Sequence, residues 1–360
     1  MELYLIQYVL IVIIVLSFKF IRLKGVEVFL LCGILVVPMG LRSFSVGTDT
    51  RLYGRIFMSY GETPYNQYEG STYLYFYWNK LIYYISSNYG VYLLITAALM
   101  IGCLIIAIYM FDKKSFGESI ILFYSLYFYL NAFNLNRQYL ALSISFLAII
   151  LSIKTNKVFI PLLICLVAVL VHNTSIFYLI YFIFRKINWS SKSYLILSLL
   201  VFVIGKLKNE VFKVFSTIFT HYSLYNSENF ESISQGNKKF LGLFYMVVII
   251  LAIFYLNSTK VVNKDTQKYG VIIALSIVGC IISIFFGSDI LLGRIENYFS
   301  IFQILIIPFS IRGFLKLFGS HELGIYGLTY IILFCVLLVP LLFQLNSNIS
   351  QVLPYSVWLK

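Results

Sequence analysis

Long apolar runs, separated by short breaks that carry lysine and arginine, occupy most of this 360-residue chain. Hydrophobic residues make up 61% of the sequence and charged residues 11%, which leaves too few charges to cover a soluble surface. An apolar run of about 17–25 residues is long enough to cross the hydrocarbon core of a bilayer as a helix. The sequence therefore predicts an all-α protein, a polytopic membrane helix bundle of about 10–12 membrane segments.

The predicted segments follow one another with no soluble domain between them. They lie near residues 3–20, 26–41, 91–111, 117–134, 137–153, 158–184, 193–205, 239–256, 270–286, 298–311 and 323–343. No internal repeat or low-complexity tract interrupts the series. Residues 1–360 are therefore predicted to form a single integral membrane domain.

Basic residues predict the orientation of the segments. They cluster in the breaks at 19–24, 113–114, 154–157, 185–192, 260–268 and 312–316. Because cytoplasmic loops carry an excess of Lys and Arg, these breaks are predicted to face the cytoplasm, and the net charge of +13 reflects topology and not nucleic-acid binding. The outward connections are then 42–72, 134–137, 206–238, 287–297 and the C-terminal tail, and functional chemistry is expected on that face.

The apolar segment 158–184 has basic residues at both ends, which the same rule assigns to one side of the membrane. A re-entrant helix pair that turns near His172-Asn173-Thr174 would satisfy the rule. Broken helices of this kind are tolerated only where they line a protein or water cavity. The alternative is a single long span with one basic loop that breaks the rule.

The long outward connection near 206–238 has aromatic residues at helical spacing with polar residues between them. The aromatic positions are Phe212, Phe215, Phe219 and Tyr222. This pattern predicts an external amphipathic loop that lies on the membrane surface as a helix. Packing of the same aromatic residues against other helices is the alternative.

Three arginines from separated parts of the chain are expected at the outer face. Arg42 follows the second segment, Arg137 lies in an Asn-rich turn, and Arg294 precedes the next-to-last segment. A guanidinium is always charged and offers a planar fork of donors that suits phosphate oxygens. Such a cluster without matching acids indicates a phosphate or diphosphate ligand. For each arginine, a lipid-headgroup contact or a local salt bridge is the alternative.

Four elements occur in order along the chain. They are Arg42 with Val46-Gly47-Thr48-Asp49-Thr50 and Tyr53, Asn136-Arg137-Gln138, Val171-His172-Asn173-Thr174-Ser175, and Arg294 with Tyr298. In order and spacing, over roughly residues 30–300, these elements resemble the EpsG family of Wzy-type bacterial polysaccharide polymerases. The tail beyond about residue 320 carries no motif of the resemblance.

The resemblance implies a GT-C-like fold and a multi-pass location in the bacterial plasma (inner) membrane. It implies polymerisation of undecaprenyl-diphosphate-linked oligosaccharide repeat units into O-antigen, capsular or exopolysaccharide on the external face. The expected partners are that lipid-linked oligosaccharide, membrane lipids, and flippase and chain-length regulator proteins, with no nucleic acid. The matching positions Tyr53, Asn136, Gln138 and Tyr298 are expected to bind the substrate.

Glycosyl transfer from a polyprenyl diphosphate needs stabilisation of the leaving diphosphate. Arg42, Arg137 and Arg294 can supply it as preorganised positive charge. The sequence has no DxD or HExxH spacing, which favours a metal-independent glycosyltransferase without a cofactor.

The transfer also needs a base for the acceptor hydroxyl, and Asp49 and His172 are the two candidates. Histidine has an unperturbed pKa of about 6.5, which suits proton transfer near neutrality. Asp49 is slightly favoured, because GT-C enzymes carry an acceptor-activating carboxylate on the first external loop. Either residue has a structural alternative: Asp49 could order nearby arginines, and His172 could end a helix.

Two other functions share parts of this pattern. An O-antigen-ligase-like membrane glycosyltransferase would use the same arginines for the leaving group. A lipid-linked oligosaccharide flippase would need charge along a path through the bilayer and commonly has internal repeats, whereas this chain places its arginines at one face. The pattern favours an enzyme, and the residues alone leave polymerase and ligase open.

Overall fold

A computed structural model describes residues 1–358 except 22, 69–71, 208–209, 211–216, 218–238, 259–263, 287–289 and 318–322. The predicted amphipathic stretch Phe212–Tyr222 lies outside the described residues, apart from position 217. The described residues belong to two compact units. The first comprises Met1–Leu179 and Gly327–Lys360, and the second comprises Ile180–Tyr326.

Every regular element in the described part of the chain is helical. In the first unit the helices are α1 (Glu2–Phe20), α2 (Lys24–Gly40), α3 (Thr50–Glu62), α4 (Tyr73–Ile85), α5 (Tyr89–Phe111), α6 (Phe116–Ser125), α7 (Phe128–Asn134), α8 (Asn136–Thr155) and α9 (Phe159–Val171). The second unit holds α10 (Tyr181–Phe184), α11 (Ser191–Lys206), α12 (Lys239–Ser258), α13 (Lys264–Phe286), α14 (Ile290–Ser300) and α15 (Gln303–Leu317). Helix α16 (Leu323–Ser347) leads back into the first unit, and short 3₁₀ helices cover Tyr65–Gln67 and Asn173–Ile180.

Five of these helices are long and apolar enough to cross a membrane: α1, α5, α8, α12 and α13. A sixth span is possible if Leu292–Ser300 and Gln303–Leu315, which meet at a bend of 46°, are one broken span. The predicted all-α, polytopic membrane architecture is confirmed. The larger total of about 10–12 segments would also need the shorter apolar helices and stays a prediction, as does the GT-C-like arrangement.

The first unit is built around α5, which packs against both α2 and α8. Between helices in a bilayer, close van der Waals packing replaces the hydrophobic effect as the main source of association. Gly40 shows this packing, because a Cβ atom built on it would lie 2.8 Å from the Cα atom of Leu94 on α5. Helix α9 packs against α8 and α4, so the predicted turn region is anchored on the same core.

In the second unit, α13 packs against α11, α12 and α14. Gly279 of α13 allows a close approach to α14, since a Cβ atom there would lie 2.7 Å from the backbone nitrogen of Ser300. Helix α12 also packs against α15, and the Ser310 hydroxyl donates to the Val248 carbonyl over 3.0 Å.

Two predicted segments are broken in the structure. The segment predicted at 117–134 consists of α6 and α7, because Tyr127 adopts a left-handed backbone conformation with φ 70°. The segment predicted at 298–311 crosses the break between α14 and α15. The residues around both breaks are mostly apolar, so the apolar pattern alone could not locate them.

The segment 158–184 breaks where the sequence predicts a turn. Helix α9 ends at Val171, and His172 is extended with φ −150° and ψ 116° before the 3₁₀ helix begins at Asn173. Each half is a short apolar helix. The position of the break agrees with the predicted re-entrant pair, and the return of both ends to one side of the membrane stays a prediction.

The connection 42–72, which is predicted to face outward, contains helix α3, which the apolar pattern did not reveal because this helix is amphipathic. Gly54 and Phe57 are buried, whereas Arg51 and Arg55 are exposed. Lys80 of α4 caps the C-terminal end of α3, because its Nζ donates to the carbonyls of Gly61 and Thr63 over 3.1 and 2.6 Å. These groups would otherwise lack partners at a helix C-terminus.

Candidate active site

The Gly-Thr-Asp-Thr stretch of the connection 42–72 forms a tight turn, here named the Asp49 turn (Val46-Gly47-Thr48-Asp49-Thr50). Gly47 has φ +99°, and a Cβ atom on it would lie 2.7 Å from Oδ1 of Asn134. Only glycine fits both the backbone conformation and the space. Asp49 is half-buried at the start of α3, and its Oδ1 accepts from the Thr48 hydroxyl over 3.1 Å.

Arg42 lies beneath this turn and is fully buried. Its Nη1 and Nη2 donate to the carbonyls of Met39 and Phe133 over 2.5 and 3.0 Å, and its guanidinium lies 4.9 Å from the Phe133 ring centre. Burial lowers the pKa of the Arg42 guanidinium, although arginine stays protonated at physiological pH. The structure therefore uses this charge to hold α2, the turn and α7 together.

Asn134, the last residue of α7, connects the Asp49 turn to a distant part of the chain. Its Oδ1 accepts from the backbone nitrogen of Thr48 over 2.8 Å. Its Nδ2 donates to the carbonyl of Ser350 over 2.9 Å. Because the amide is almost fully buried, losing either bond would leave a buried polar group without its partner.

Arg137, in the first turn of α8, meets His172 at the break after α9. The Arg137 Nε donates to His172 Nδ1 over 3.2 Å, Nη1 donates to the Thr72 hydroxyl over 3.4 Å, and the guanidinium lies 5.2 Å from the Tyr75 ring centre. His172 is 8% exposed, and Arg137 is half-buried. These contacts hold the guanidinium in one orientation while leaving part of it accessible.

The remaining candidates of the first unit lie on the same elements. Asn136 and Gln138 flank Arg137 in the first turn of α8, and both are buried. Tyr53 is half-buried on α3, where it packs against the cluster that contains Phe57 and Tyr92. The structure thus brings together the neighbours of Arg137 on α8 and places Tyr53 one turn after Asp49.

Arg294 and Tyr298 lie one turn apart on α14, in the second unit. Tyr298 is fully buried, and Glu296 between them accepts from the Ser283 hydroxyl over 2.9 Å. The structure therefore shows contact of Arg42 and the Asp49 turn with the end of α7, which directly precedes Arg137. That Arg294 approaches these residues stays a prediction.

Two cavities border these residues in the first unit. One of 420 Å³ is lined by apolar side chains that include Trp78, Leu140 and Val171. Val171 directly precedes His172, and Leu140 lies one helical turn after Arg137. Another of 760 Å³ is lined by Arg51 and Arg55 of α3 together with aromatic and polar side chains. The first cavity offers an apolar surface, and the second offers positive charge.

Sequence reasoning missed the contribution of the tail segment, defined as residues 348–358. Its Gln351 carbonyl accepts from the Gly47 nitrogen over 2.8 Å, and Arg42 and Val357 form an isolated antiparallel bridge. No motif marks these residues, because both of these contacts use backbone groups. The aromatic residues Tyr355 and Trp358 were the only available signal.

Among the described residues, no group of three or more His, Cys, Asp and Glu side chains could hold a metal ion. Metal independence stays a prediction. A model of the EpsG family matches residues 26–357, which includes the Asp49 turn, Arg137, His172 and the tail segment up to residue 357. Neither a curated protein nor a solved structure matches the chain.

Proposed function

The chain belongs to the EpsG family, and on that premise we propose that it polymerises undecaprenyl-diphosphate-linked oligosaccharide repeat units at the outer face of the bacterial plasma membrane. Family membership supports a polysaccharide polymerase in a multi-pass membrane protein. The single observation that carries the proposal is the oriented guanidinium of Arg137 beside His172, with their chain neighbours Leu140 and Val171 lining the apolar cavity. This arrangement suits an anionic headgroup attached to an apolar chain.

In the proposed reaction, an acceptor sugar hydroxyl attacks the anomeric carbon of the donor. A new carbon–oxygen bond forms, and the bond to the diphosphate breaks. The diphosphate leaves with the electron pair, and the hydroxyl proton passes to a base. The protein must therefore stabilise negative charge on the leaving group and accept one proton.

Arg137 is proposed to stabilise the leaving diphosphate. Nη2 of this residue makes no hydrogen bond within the described part of the chain, so it can donate to a phosphate oxygen. Helix α8 adds to the effect because the N-terminus of a helix attracts anions. Preorganised donors of this kind lower the barrier without needing to reorient during the reaction.

Asp49 is proposed to accept the proton, and His172 to orient Arg137. Because Nδ1 of His172 accepts from Arg137, it carries no proton, and the neutral ring must carry its proton on Nε2. In this state neither ring nitrogen is a free acceptor. The carboxylate of Asp49 interacts with the Thr48 hydroxyl and keeps further lone pairs for an acceptor.

The other predicted residues receive roles by position. Arg42 is proposed to hold the Asp49 turn in place, since it is fully buried and donates to two backbone carbonyls and to the Thr50 hydroxyl. Asn136, Gln138 and Tyr53 are proposed to bind sugar or phosphate groups near Arg137 and Asp49. Arg294 and Tyr298 are proposed to contribute from the second unit, as the family resemblance implies.

The test is an assay with purified protein in lipid vesicles and a synthetic lipid-diphosphate repeat unit. A ladder of products that grows by one repeat unit per step is the expected result. Transfer of a single glycan to a separate acceptor would indicate a ligase. Movement of unchanged substrate between leaflets would indicate a flippase, and either result would overturn the proposal. Arg137→Ala is the matched inactive control, provided that it inserts and melts like the wild type.

A further inference from the structure

The tail segment supplies hydrogen bonds to the C-terminal end of helix α2. The last carbonyls of any helix lack partners within that helix. Here the Tyr355 hydroxyl donates to the Pro38 carbonyl over 2.9 Å, and the Trp358 indole Nε1 donates to the Gly40 carbonyl over 3.1 Å. The backbone nitrogen of Trp358 donates to the Leu41 carbonyl over 3.1 Å. The tail segment therefore caps the C-terminal end of α2, just before the stretch of chain that leads to the Asp49 turn.

The same segment runs beside the backbone that leads into the Asp49 turn. The Ser43 nitrogen donates to the Ser356 carbonyl, and the Gly47 nitrogen donates to the Gln351 carbonyl, each over 2.8 Å. The side-chain hydroxyls of Ser45 and Ser356 lie 3.2 Å apart. Backbone bonds at both ends fix the path of the chain from Ser43 to Gly47.

Packing adds to these hydrogen bonds. The Trp358 ring lies against Gly90 of α5 so closely that a Cβ atom there would be 2.1 Å from Cε2. Tyr4 of α1 donates from its hydroxyl to the Val352 carbonyl over 3.3 Å. The tail segment is thus fixed to α1, α2 and α5, which makes it a rigid support.

We propose that the tail segment and Asn134 position the Asp49 turn for glycosyl transfer. Asn134 links the two because its amide binds both Thr48 and the Ser350 carbonyl. This inference rests on the proposed function of Asp49 as the base. A carboxylate that must accept a proton from an incoming hydroxyl needs a fixed position, and a half-buried turn containing glycine is not rigid by itself.

The first experiment releases the tail segment and then restores it. Trp358→Ala removes the indole bond to Gly40 and the packing on Gly90. In a Ser45→Cys/Ser356→Cys background, oxidation should join the turn to the tail by a disulfide, because the two hydroxyls are already in contact. Trp358→Ala in the reduced state should lower kcat about tenfold or more with little change in KM, and oxidation should restore kcat.

The controls separate this inference from the proposed function. The rate of disulfide formation reports docking of the tail without any activity assay, and it should be fast with Trp358 and slow with Trp358→Ala. A wild-type protein that builds no ladder would refute the polymerase while leaving docking measurable. Unchanged kcat per folded molecule in reduced Trp358→Ala, or no recovery on oxidation, would overturn the positioning role.

The second experiment tests Asn134 with a matched neighbour. Asn134→Ala removes both bonds of the bridge, whereas Asn131→Ala changes the same residue type one turn earlier on α7, where the amide makes no side-chain hydrogen bond within the described residues. We expect kcat to fall about tenfold or more for Asn134→Ala, at constant KM, and to be unchanged for Asn131→Ala. Equal kcat in the two variants would exclude Asn134 as a positioning residue.

Discussion

The Nε of Arg137 donates to Nδ1 of His172 over 3.2 Å, and this bond determines which ring nitrogen of His172 carries the proton. A proton on Nδ1 would place two donors against each other, so the imidazole must be neutral with its proton on Nε2. In the proposed mechanism the histidine then orients the arginine, and the arginine donates to the leaving diphosphate. This relationship separates the roles of the two candidate bases.

Replacing Arg137 by lysine should abolish most of the activity although the charge is kept. A lysine ammonium cannot donate to His172 and Thr72 while also presenting a planar fork to a diphosphate. We expect chain growth to slow about 100-fold or more, measured as the rate of ladder formation. Arg185→Lys is the matched control and should be near wild type. A normal chain-length distribution in Arg137→Lys would show that only the positive charge of Arg137 at the membrane interface matters, and not its guanidinium geometry.

Replacing His172 by glutamine should preserve a substantial part of the rate, whereas alanine should not. The glutamine Oε1 can accept from the Arg137 Nε in place of Nδ1. The pH–rate profiles of both variants should keep the shape of the wild-type profile, because the base is unchanged. If His172→Gln instead lost most of the rate, and its pH–rate profile no longer fell as the pH dropped through neutrality, His172 would be the base.

Asp49→Asn should remove the base while keeping the turn. Asparagine has the shape of aspartate and can still accept from the Thr48 hydroxyl, but its amide cannot take up the proton of the acceptor hydroxyl. We expect a loss of about 10²–10⁴-fold in kcat, measured in single-turnover assays. Asp112→Asn, which lies in the turn between α5 and α6, serves as the control. A full glycan ladder from Asp49→Asn would pass the role to His172.

Gly47→Ala should distort the Asp49 turn. The added Cβ would meet Oδ1 of Asn134 at 2.7 Å, and alanine at φ +99° adds backbone strain. We expect a destabilisation of about 1–3 kcal/mol, read as a lower melting temperature, and a reduced kcat. Gly102→Ala on α5 is the control, because nothing lies within 4 Å of its added Cβ, and it should be neutral or slightly stabilising. Equal behaviour of the two variants would contradict the described turn.

Topology predicts opposite labelling of two exposed positions. Ser59 of α3 lies in the connection predicted to face outward, and Lys113 lies in a break predicted to face the cytoplasm. In intact cells, an impermeant thiol reagent should label Ser59→Cys and should label Lys113→Cys only after lysis. The reverse pattern would place Asp49 on the cytoplasmic side and remove the basis for an external active site.

The sequence predicts the long apolar helices well, because α1, α5 and α8 are uniform runs whose length matches a bilayer. It also locates the break at His172, where polar residues interrupt an apolar run. It does not reveal the break at Tyr127, since a left-handed residue among apolar neighbours leaves the hydropathy unchanged.

Within the candidate site, the sequence indicates which residues carry useful chemistry better than it indicates which residues touch one another. The pairing of Arg137 with His172 joins residues that the sequence had singled out separately. The burial of Arg42 on two carbonyls was not foreseeable, because a buried and an exposed arginine look the same in sequence. The tail segment was missed for a different reason, since backbone hydrogen bonds need no particular side chain.

The capping of α2 by the tail segment joins a part of the chain that the ribosome synthesises early to a part that it synthesises late. Tyr355 and Trp358 are separated from the carbonyls of Pro38 and Gly40 by 317 and 318 residues. At an elongation rate of about 5–20 residues per second, the ribosome needs roughly 15–60 s to cover that distance. Until then those carbonyls must bind water, because hydrocarbon offers them no partner. The nascent end of α2 should therefore remain at the aqueous boundary, and the Asp49 turn should reach its final geometry only when residue 358 has been added.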